Sequence, residues 1–248
     1  MRPETDMEKI RAAAKTLLHL DIRPTSLSPM VVSHPFTNSG FVGLRDEDGS
    51  VRIGAIMEDQ EALARWRRQV EADIERAESP MGIAMMMNTP YLLTFIKYAK
   101  PYLSEPDLGS LLSAAWTMEE APNRDPNLSR RSLAALFRSV SPEHLMDAEE
   151  LRQLQALEDP VAVYRGFTSH NARNIRALSW TLDRDTAEWF AHRFGEDGTV
   201  YEAQIAKAHI LAVFLGRNEW EVVVDPKYLE QVQESSAQDM GMEGMEMR

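Results

Sequence analysis

Two carboxylates stand one residue apart in "GRNEWEVVVDP", residues 216–226, directly before the apolar run Val222–Val224. Side chains i and i+2 of a strand point to the same face, so Glu219 and Glu221 are predicted to lie side by side. Each of two like charges at that distance raises the cost of ionising the other. A charged strand edge that discourages aggregation explains Glu219. It explains Glu221 less well, because the next residue on its face is Val223.

Two further polar features stand on predicted strands of the C-terminal third. Arg165 in "VYRGF" follows an apolar stretch, where a charge is costly without a partner, and Gly166 permits close approach of the main chain. Ser179 and Thr181 in "ALSWTLD" share one strand face and present two hydroxyls together. The alternatives are an arginine exposed at a strand end and a half-buried strand face with satisfied hydroxyls.

Composition argues against several other kinds of chemistry. The chain has no cysteine, which excludes disulfides, thiolate catalysis and sulfur-bound zinc. Its six histidines show no metal-ligand spacing, so no metal is predicted, and neither a glycine-rich phosphate loop nor a GxSxG elbow occurs. A formal net charge of −12 argues against broad nucleic-acid binding. Any anionic ligand is therefore expected to be held by a few local arginines.

The elements that must position these residues begin at Pro160, where the composition turns to β-formers. Five segments predict short strands: "VAVYRGF", "ALSWTL", "GTVYEAQI", "AHILAVF" and "EWEVVVD". Between the second and third, "DRDTAEWFAHRFG" predicts a helix with Asp183 as N-cap and Gly195 as its stop. The tail from residue 235 to 248 has no usable period and is predicted to be disordered.

The preceding half of the chain is predicted to be mainly helical. It has a first helix in "DMEKIRAAAKTLLHL", two strands around an Asp-Gly turn in "FVGLRDEDGSVRIGAI" and a charged amphipathic helix at 58–78. A boundary is predicted at Ser79–Pro80, followed by a helical block over 81–159. The chain thus reads as α+β: an N-terminal α/β segment, 1–80, and a second domain, 81–234, whose β core is 160–234. No apolar run is long enough to span a bilayer and no signal peptide is evident, so we expect a cytoplasmic protein without membrane contact.

Taken in order, Arg165, Ser-x-Thr at 179–181 and Glu-x-Glu at 219–221 resemble the arginine–serine–glutamate class of mono-ADP-ribosyltransferases, which includes cholera-toxin-like and clostridial toxins and effectors. "SWTLDRDTAEWFA" is similar to the family's Ser-Thr-Ser strand and the short helix after it, and "EWEVVVDP" to its Glu-x-Glu and aliphatic strand. The resemblance covers 160–226, with 81–159 as the family's helical lobe. Trp180 and Thr181 depart from the family's second and third motif residues. The resemblance implies strands in two sheets around an NAD cleft.

The resemblance also implies a role for each site residue. Glu221 would hydrogen-bond the ribose of NAD and stabilise its cation, and Ser179 would orient Glu221. Arg165 would bind the pyrophosphate, with Gly166 at the nicotinamide amide and Thr181 lining the nucleotide site. Glu219 would face an arginine of an acceptor protein. Two arginines between the first two motifs are further candidate contacts to the nucleotide, with solvated loop residues as the alternative: Arg173 and Arg176.

Three functions remain open on the sequence. The first is an NAD-dependent protein mono-ADP-ribosyltransferase that releases nicotinamide. The second is an NAD glycohydrolase, in which water replaces the acceptor and the same residues serve. The third is an inactive relative that acts as a binding module, for which a costly carboxylate pair has no use.

Overall fold

The computed structural model describes residues 2–119, 127–169, 175–195, 197–216 and 219–235. The chain forms two units, residues 1–151 and 152–248. Helices and antiparallel sheets are both present, so the predicted α+β class is confirmed. Of the predicted disordered tail, residues 236–248 lie outside the described part of the chain.

Most helices of the first unit begin at a residue whose side chain caps them. The side chains of Asp6, Asp59, Ser79, Ser104 and Ser129 accept hydrogen bonds from main-chain N–H groups of the first turn. The predicted helices at 6–20 and 58–78 are confirmed. Among the described helices, none has the length and hydropathy that crossing a bilayer requires. The helices are α1 Met7–Leu18, α2 Gln60–Arg76, α3 Pro80–Ala84, α4 Leu92–Ala99, α5 Glu105–Met118, α6 Arg130–Phe137, α7 Pro142–Leu145 and α8 Ala148–Ala156, which runs across the boundary into the second unit.

Five short strands of the first unit form two small antiparallel sheets. The first sheet joins β1 Arg23–Pro24, β2 Val31–His34 and β3 Thr37–Ser39. The second is the predicted hairpin of β4 Phe41–Arg45 and β5 Val51–Ala55. Its turn contains Gly49 with φ 85°, a conformation that glycine adopts without penalty. The hairpin prediction is confirmed.

The predicted domain boundary at Ser79–Pro80 is corrected by the structure, because the N-terminal segment and the helical block form one unit. The side-chain amide of Asn88 donates to the carbonyl of His34 at 2.8 Å. The main-chain N–H of Asp6 donates to the carbonyl of Tyr102, also at 2.8 Å. These contacts join residues that are far apart in the sequence. The composition of a short segment does not predict such contacts.

His34 ties the first sheet to α1 through a neutral imidazole. Its Nδ1 accepts from the N–H of Phe36 at 3.1 Å, so its Nε2 must carry the proton that it shares with the Leu18 carbonyl at 3.2 Å. The ring packs edge-on against Trp66, with centroids 5.5 Å apart. Burial lowers the pKa of His34 from 6.5 to about 4.

We expect the first unit to lose stability in mild acid because of His34. The unfolded chain takes up a proton near pH 6.5, whereas the native ring resists protonation down to about pH 4. The contribution of His34 is therefore complete above pH 6.5 and is lost as the pH falls towards 4. Between pH 7 and pH 5 the loss is about 2 kcal/mol. Urea unfolding at both pH values should show this drop, and His34→Gln should reduce it. Equal drops in wild type and variant would contradict the assignment.

In the second unit, six strands form one antiparallel sheet in the order β11-β8-β6-β7-β10-β9, and one helix, α9, packs on β6. The five predicted strands and the predicted helix are present, and β11 was not predicted. Strand β10, which lies between β7 and β9, is buried at every position. The elements are β6 Val161–Phe167, β7 Ser179–Thr181, α9 Arg184–His192, β8 Thr199–Ile205, β9 Ile210–Phe214, β10 Glu221–Val224 and β11 Glu230–Glu234.

This sheet consists of two three-stranded halves with a narrow join. Strand β6 pairs with β8 along its whole length, from Val161 to Phe167, but it pairs with β7 only at Tyr164 and Thr181. The prediction of two separate sheets is therefore corrected: the hydrogen-bonded ladder continues through a single residue pair. On either side of that pair β6 and β7 do not pair, and the candidate site lies at this join.

Candidate functional site

Arg165 connects the two halves of the sheet beside the join. Its Nη1 donates a hydrogen bond to the main-chain carbonyl of Ser179 on β7. Its guanidinium carbon also lies 5.5 Å from the centre of the Phe167 ring. The guanidinium thus bridges the two strands next to the Tyr164–Thr181 pair. A fixed, permanently charged donor fork stands where the sheet divides.

Ser179, Thr181 and Glu221 share one face of the sheet. Thr181 is the register partner of Glu221 and also of Tyr164 on the other side, and Ser179 is paired with Val223. Directly paired residues of antiparallel strands point to the same face. The predicted grouping of Ser179 with Glu221 is therefore consistent with the register.

Glu221 is a buried carboxylate at the first position of strand β10, which lies between two other strands. Its residue is 8% exposed, and strands flank it on both sides, with Thr181 and Phe214 as its register partners. Removing a carboxylate from water costs several kcal/mol unless charge or hydrogen bonds compensate. Buried ionisable groups are a marker of functional sites.

Strand alternation places Arg165 on the opposite face of the sheet from Thr181 and Glu221. On β6 it follows Tyr164, so its Cβ points to the opposite face of the sheet from Tyr164 and Glu221. Its guanidinium nevertheless reaches the main chain of Ser179. The structure thus brings Arg165 to the backbone of Ser179, while Ser179 and Glu221 are brought to one face.

The predicted side-by-side placement of the two glutamates on one strand is corrected. Strand β10 begins at Glu221, and Trp220 has φ 46°, in the left-handed region. This residue turns the chain, so Glu219 precedes the strand and the i, i+2 rule does not apply to the pair. Glu219 is partly exposed, whereas Glu221 is buried. The two carboxylates therefore meet different surroundings.

Two hydrogen bonds from the end of β7 fix this corner. The Thr181 hydroxyl donates to the Glu219 carbonyl at 2.7 Å, and the Leu182 N–H donates to the Trp220 carbonyl at 3.0 Å. The Thr181 oxygen also accepts from the N–H of Asp183 at 3.0 Å. A hydroxyl has one proton to donate, so Thr181 supports the main chain here. Its predicted contact with a nucleotide would have to use its remaining lone pair.

Gly166 lets α9 approach β6 closely. A β-carbon at this position would overlap the Ala187 carbonyl oxygen and lie 2.5 Å from the Ala191 nitrogen. Gly198 lies directly before β8, and a β-carbon there would overlap the Ala191 carbonyl oxygen of the same helix. Packing of α9 is thus a sufficient reason for glycine at 166. The predicted contact of its main chain with nicotinamide stays a prediction.

Asp183 caps the N-terminus of helix α9, as predicted, and this cap also fixes the end of β7. The Asp183 carboxylate accepts from the hydroxyl of Thr186 at 2.6 Å and from its N–H at 2.9 Å. The Thr186 hydroxyl is the main reason why the pKa of Asp183 lies below its ordinary value. Strand, cap and helix therefore hold the C-terminal end of the Ser179–Thr181 segment.

The two arginines predicted as extra nucleotide contacts have different outcomes. Arg176 donates to the carbonyls of Pro226 at 3.0 Å and Leu229 at 3.1 Å, which anchors the turn before β11. That contact gives it a structural role. Arg173 lies outside the described residues.

Sequence reasoning missed the residue that shapes this site, Trp220. The sequence does contain a sign of this turn. The apolar strand Val222–Val224 favours a buried Glu221, whereas Glu219 suits a solvated strand edge. One unbroken strand would place both side chains on the same face, which does not suit both settings.

In the described residues, no group of three or more His, Asp and Glu side chains could hold a metal ion.

Comparison with family profiles, with curated proteins and with solved structures finds no match to this chain.

Proposed function

We propose that the chain is an NAD-dependent protein mono-ADP-ribosyltransferase that transfers ADP-ribose to arginine. The observation that carries the proposal is the buried carboxylate of Glu221, which shares a sheet face with Ser179 while the Arg165 guanidinium is held on the Ser179 main chain. Binding an anionic pyrophosphate requires a positive charge, and stabilising a developing ribose cation requires a negative one. The ADP-ribosyltransferase-like fold of residues 160–234 is part of this proposal.

At the donor end, the reaction breaks the bond between the ribose C1′ and the nicotinamide nitrogen, and nicotinamide leaves with the bonding electrons. The ribose then carries positive charge. Glu221, fixed before substrate arrives, stabilises that charge electrostatically. Ser179 orients Glu221 from the same face. Arg165 binds the pyrophosphate with its planar fork of donors, and the main chain of Gly166 meets the nicotinamide amide.

At the acceptor end, Glu219 acts on the incoming nucleophile. A carboxylate pairs with a guanidinium and accepts its proton as the nitrogen attacks C1′. The corner at Trp220 supports this division of labour, because it gives Glu219 a more exposed setting than Glu221. One carboxylate therefore serves the sugar and the other serves the acceptor.

Nicotinamide release, measured with and without an arginine-containing acceptor, separates this proposal from its rivals. A transferase releases nicotinamide faster when L-arginine methyl ester is present, and the ester becomes ADP-ribosylated. An NAD glycohydrolase releases nicotinamide at the same rate in both cases, with free ADP-ribose as product. A binding module releases none, and that outcome would refute the proposal.

Arg165 should dominate NAD binding. NAD at about 100 times its Kd should stabilise the folded chain by about 2.7 kcal/mol, seen as a higher Tm. Arg165→Ala should largely remove this NAD-dependent shift, and Arg165→Lys should keep part of it, because the charge remains and the fork is lost. The exposed Arg193, changed to Ala, is the matched control. A full shift in Arg165→Ala would show that this residue does not hold the dinucleotide.

A further inference from the structure

Trp220 combines an unfavourable backbone conformation with a partly exposed indole. Its φ of 46° lies in the left-handed region, which bulky residues rarely adopt, and the residue is 42% exposed. Glycine enters this region without penalty. Strained residues of this kind cluster at functional sites, where the surrounding structure holds them in place.

The bonds that hold the corner do not use the indole. They run from the Leu182 N–H to the Trp220 carbonyl and from the Thr181 hydroxyl to the Glu219 carbonyl. Glycine at 220 would keep both bonds at a lower conformational cost. The hydrogen bonds of the corner therefore do not require tryptophan, and part of its indole is exposed to solvent.

The neighbours of Trp220 in the chain indicate the chemistry of that contact. Glu219, on one side, is partly exposed, and Glu221, on the other, is buried. A partly exposed indole next in the chain to a partly exposed glutamate suits a flat cation, which can stack on the ring and pair with the carboxylate. Among side chains, the arginine guanidinium has this shape and charge.

We propose that Trp220 binds the acceptor arginine and sets its orientation, an inference that rests on the proposed function. The guanidinium lies against the indole and pairs with Glu219. One of its nitrogens forms the new bond to the ribose C1′, nicotinamide leaves with the electrons of the broken bond, and the guanidinium proton passes to Glu219. Trp220 thereby determines how turnover divides between arginine and water.

The test is the ratio of transfer to hydrolysis with NAD and L-arginine methyl ester. Trp220→Leu and Trp220→Gly should lower this ratio about tenfold, because the aromatic face is lost. Trp220→Phe keeps an aromatic ring and should therefore retain most of the wild-type ratio. The control is Trp189→Ala, which removes the 62% exposed tryptophan of α9 and should keep the wild-type ratio.

Thermal unfolding provides a readout that does not depend on activity. Both Trp220→Gly and Trp220→Ala remove the indole, but only glycine is relaxed at positive φ, so the glycine variant should melt at the higher temperature.

Several outcomes would overturn the inference. An unchanged ratio of transfer to hydrolysis in Trp220→Leu would contradict the role of Trp220, and so would equal use of L-lysine methyl ester and the arginine ester. Neither result would contradict the proposed transferase activity. A lower Tm for Trp220→Gly than for Trp220→Ala would remove the backbone argument. Wild-type protein that releases no nicotinamide would refute the proposed function and this inference together.

Discussion

Glu221→Gln should lower the rates of both ADP-ribose transfer and NAD hydrolysis about 10²–10³-fold, the usual cost of losing one preorganised electrostatic contact. The substitution keeps the shape and a hydrogen-bonding group but removes the charge that faces the ribose cation. NAD binding should persist, since it rests largely on Arg165. The measurement is nicotinamide release at saturating NAD, with and without L-arginine methyl ester.

Unfolding should not account for this loss. Glu221 is 8% exposed, so the native carboxylate carries a desolvation cost that glutamine avoids. Glutamine also keeps the shape of the side chain and a hydrogen-bonding group, so we expect Glu221→Gln to stay folded, with a Tm close to that of the wild type. A stable but inactive variant is the signature of a residue kept for chemistry.

Glu219→Gln is the matched comparison, because it makes the same chemical change two residues away. The ribose cation is still stabilised in this variant, so slow NAD hydrolysis should continue while transfer to arginine falls steeply. If Glu219→Gln abolished hydrolysis and Glu221→Gln spared it, the two roles would be reversed. If neither variant changed either rate, the pair would be only a charged strand edge.

Gly166→Ala should destabilise the second unit by about 3 kcal/mol, a large effect for one methyl group. The new carbon would overlap the Ala187 carbonyl oxygen and crowd the Ala191 nitrogen. Both are main-chain atoms of α9, so relief requires the helix to move away from β6. Because α9 follows β7 through the Asp183 cap, that movement would also disturb Ser179 and Thr181.

Gly216→Ala is the control for this substitution. A β-carbon at Gly216 meets nothing within 4 Å. The free energy of unfolding of Gly216→Ala should therefore match that of the wild type to within about 0.5 kcal/mol. Chemical denaturation of wild type and both variants gives the comparison. Equal stability of Gly166→Ala and Gly216→Ala would show that α9 does not pack against β6 as described.

Elements with a strong local signal could be predicted from the sequence. The β-formers of Val161–Phe167, the alternation in Thr199–Ile205 and the Asp183 cap each gave a correct element. Strand β11 has no such signal, because "EQVQE" at Glu230–Glu234 is polar, and it forms only through pairing with β8 at the sheet edge. The single-pair join at Tyr164 and Thr181 depends on long-range register in the same way.

The candidate site was predictable in part for a similar reason. Residue type marked Arg165, Ser179, Glu219 and Glu221 as unusual for their strands. Alternation, however, assumes an unbroken strand, and the left-handed Trp220 breaks it between the two glutamates. That conformation depends on hydrogen bonds from the end of β7, about 40 residues earlier in the chain, which no local pattern contains.

The most direct test of the central claim uses two preparations of NAD, one labelled in the adenine half and one in the nicotinamide ring. Each is incubated with the full chain and an arginine-rich acceptor protein. We expect the adenine label to become covalently attached to the acceptor and the nicotinamide label to be released as free nicotinamide, with both events reduced in Glu221→Gln. Release of nicotinamide with no adenine label on any protein would indicate a glycohydrolase. Intact NAD in both preparations would contradict the account.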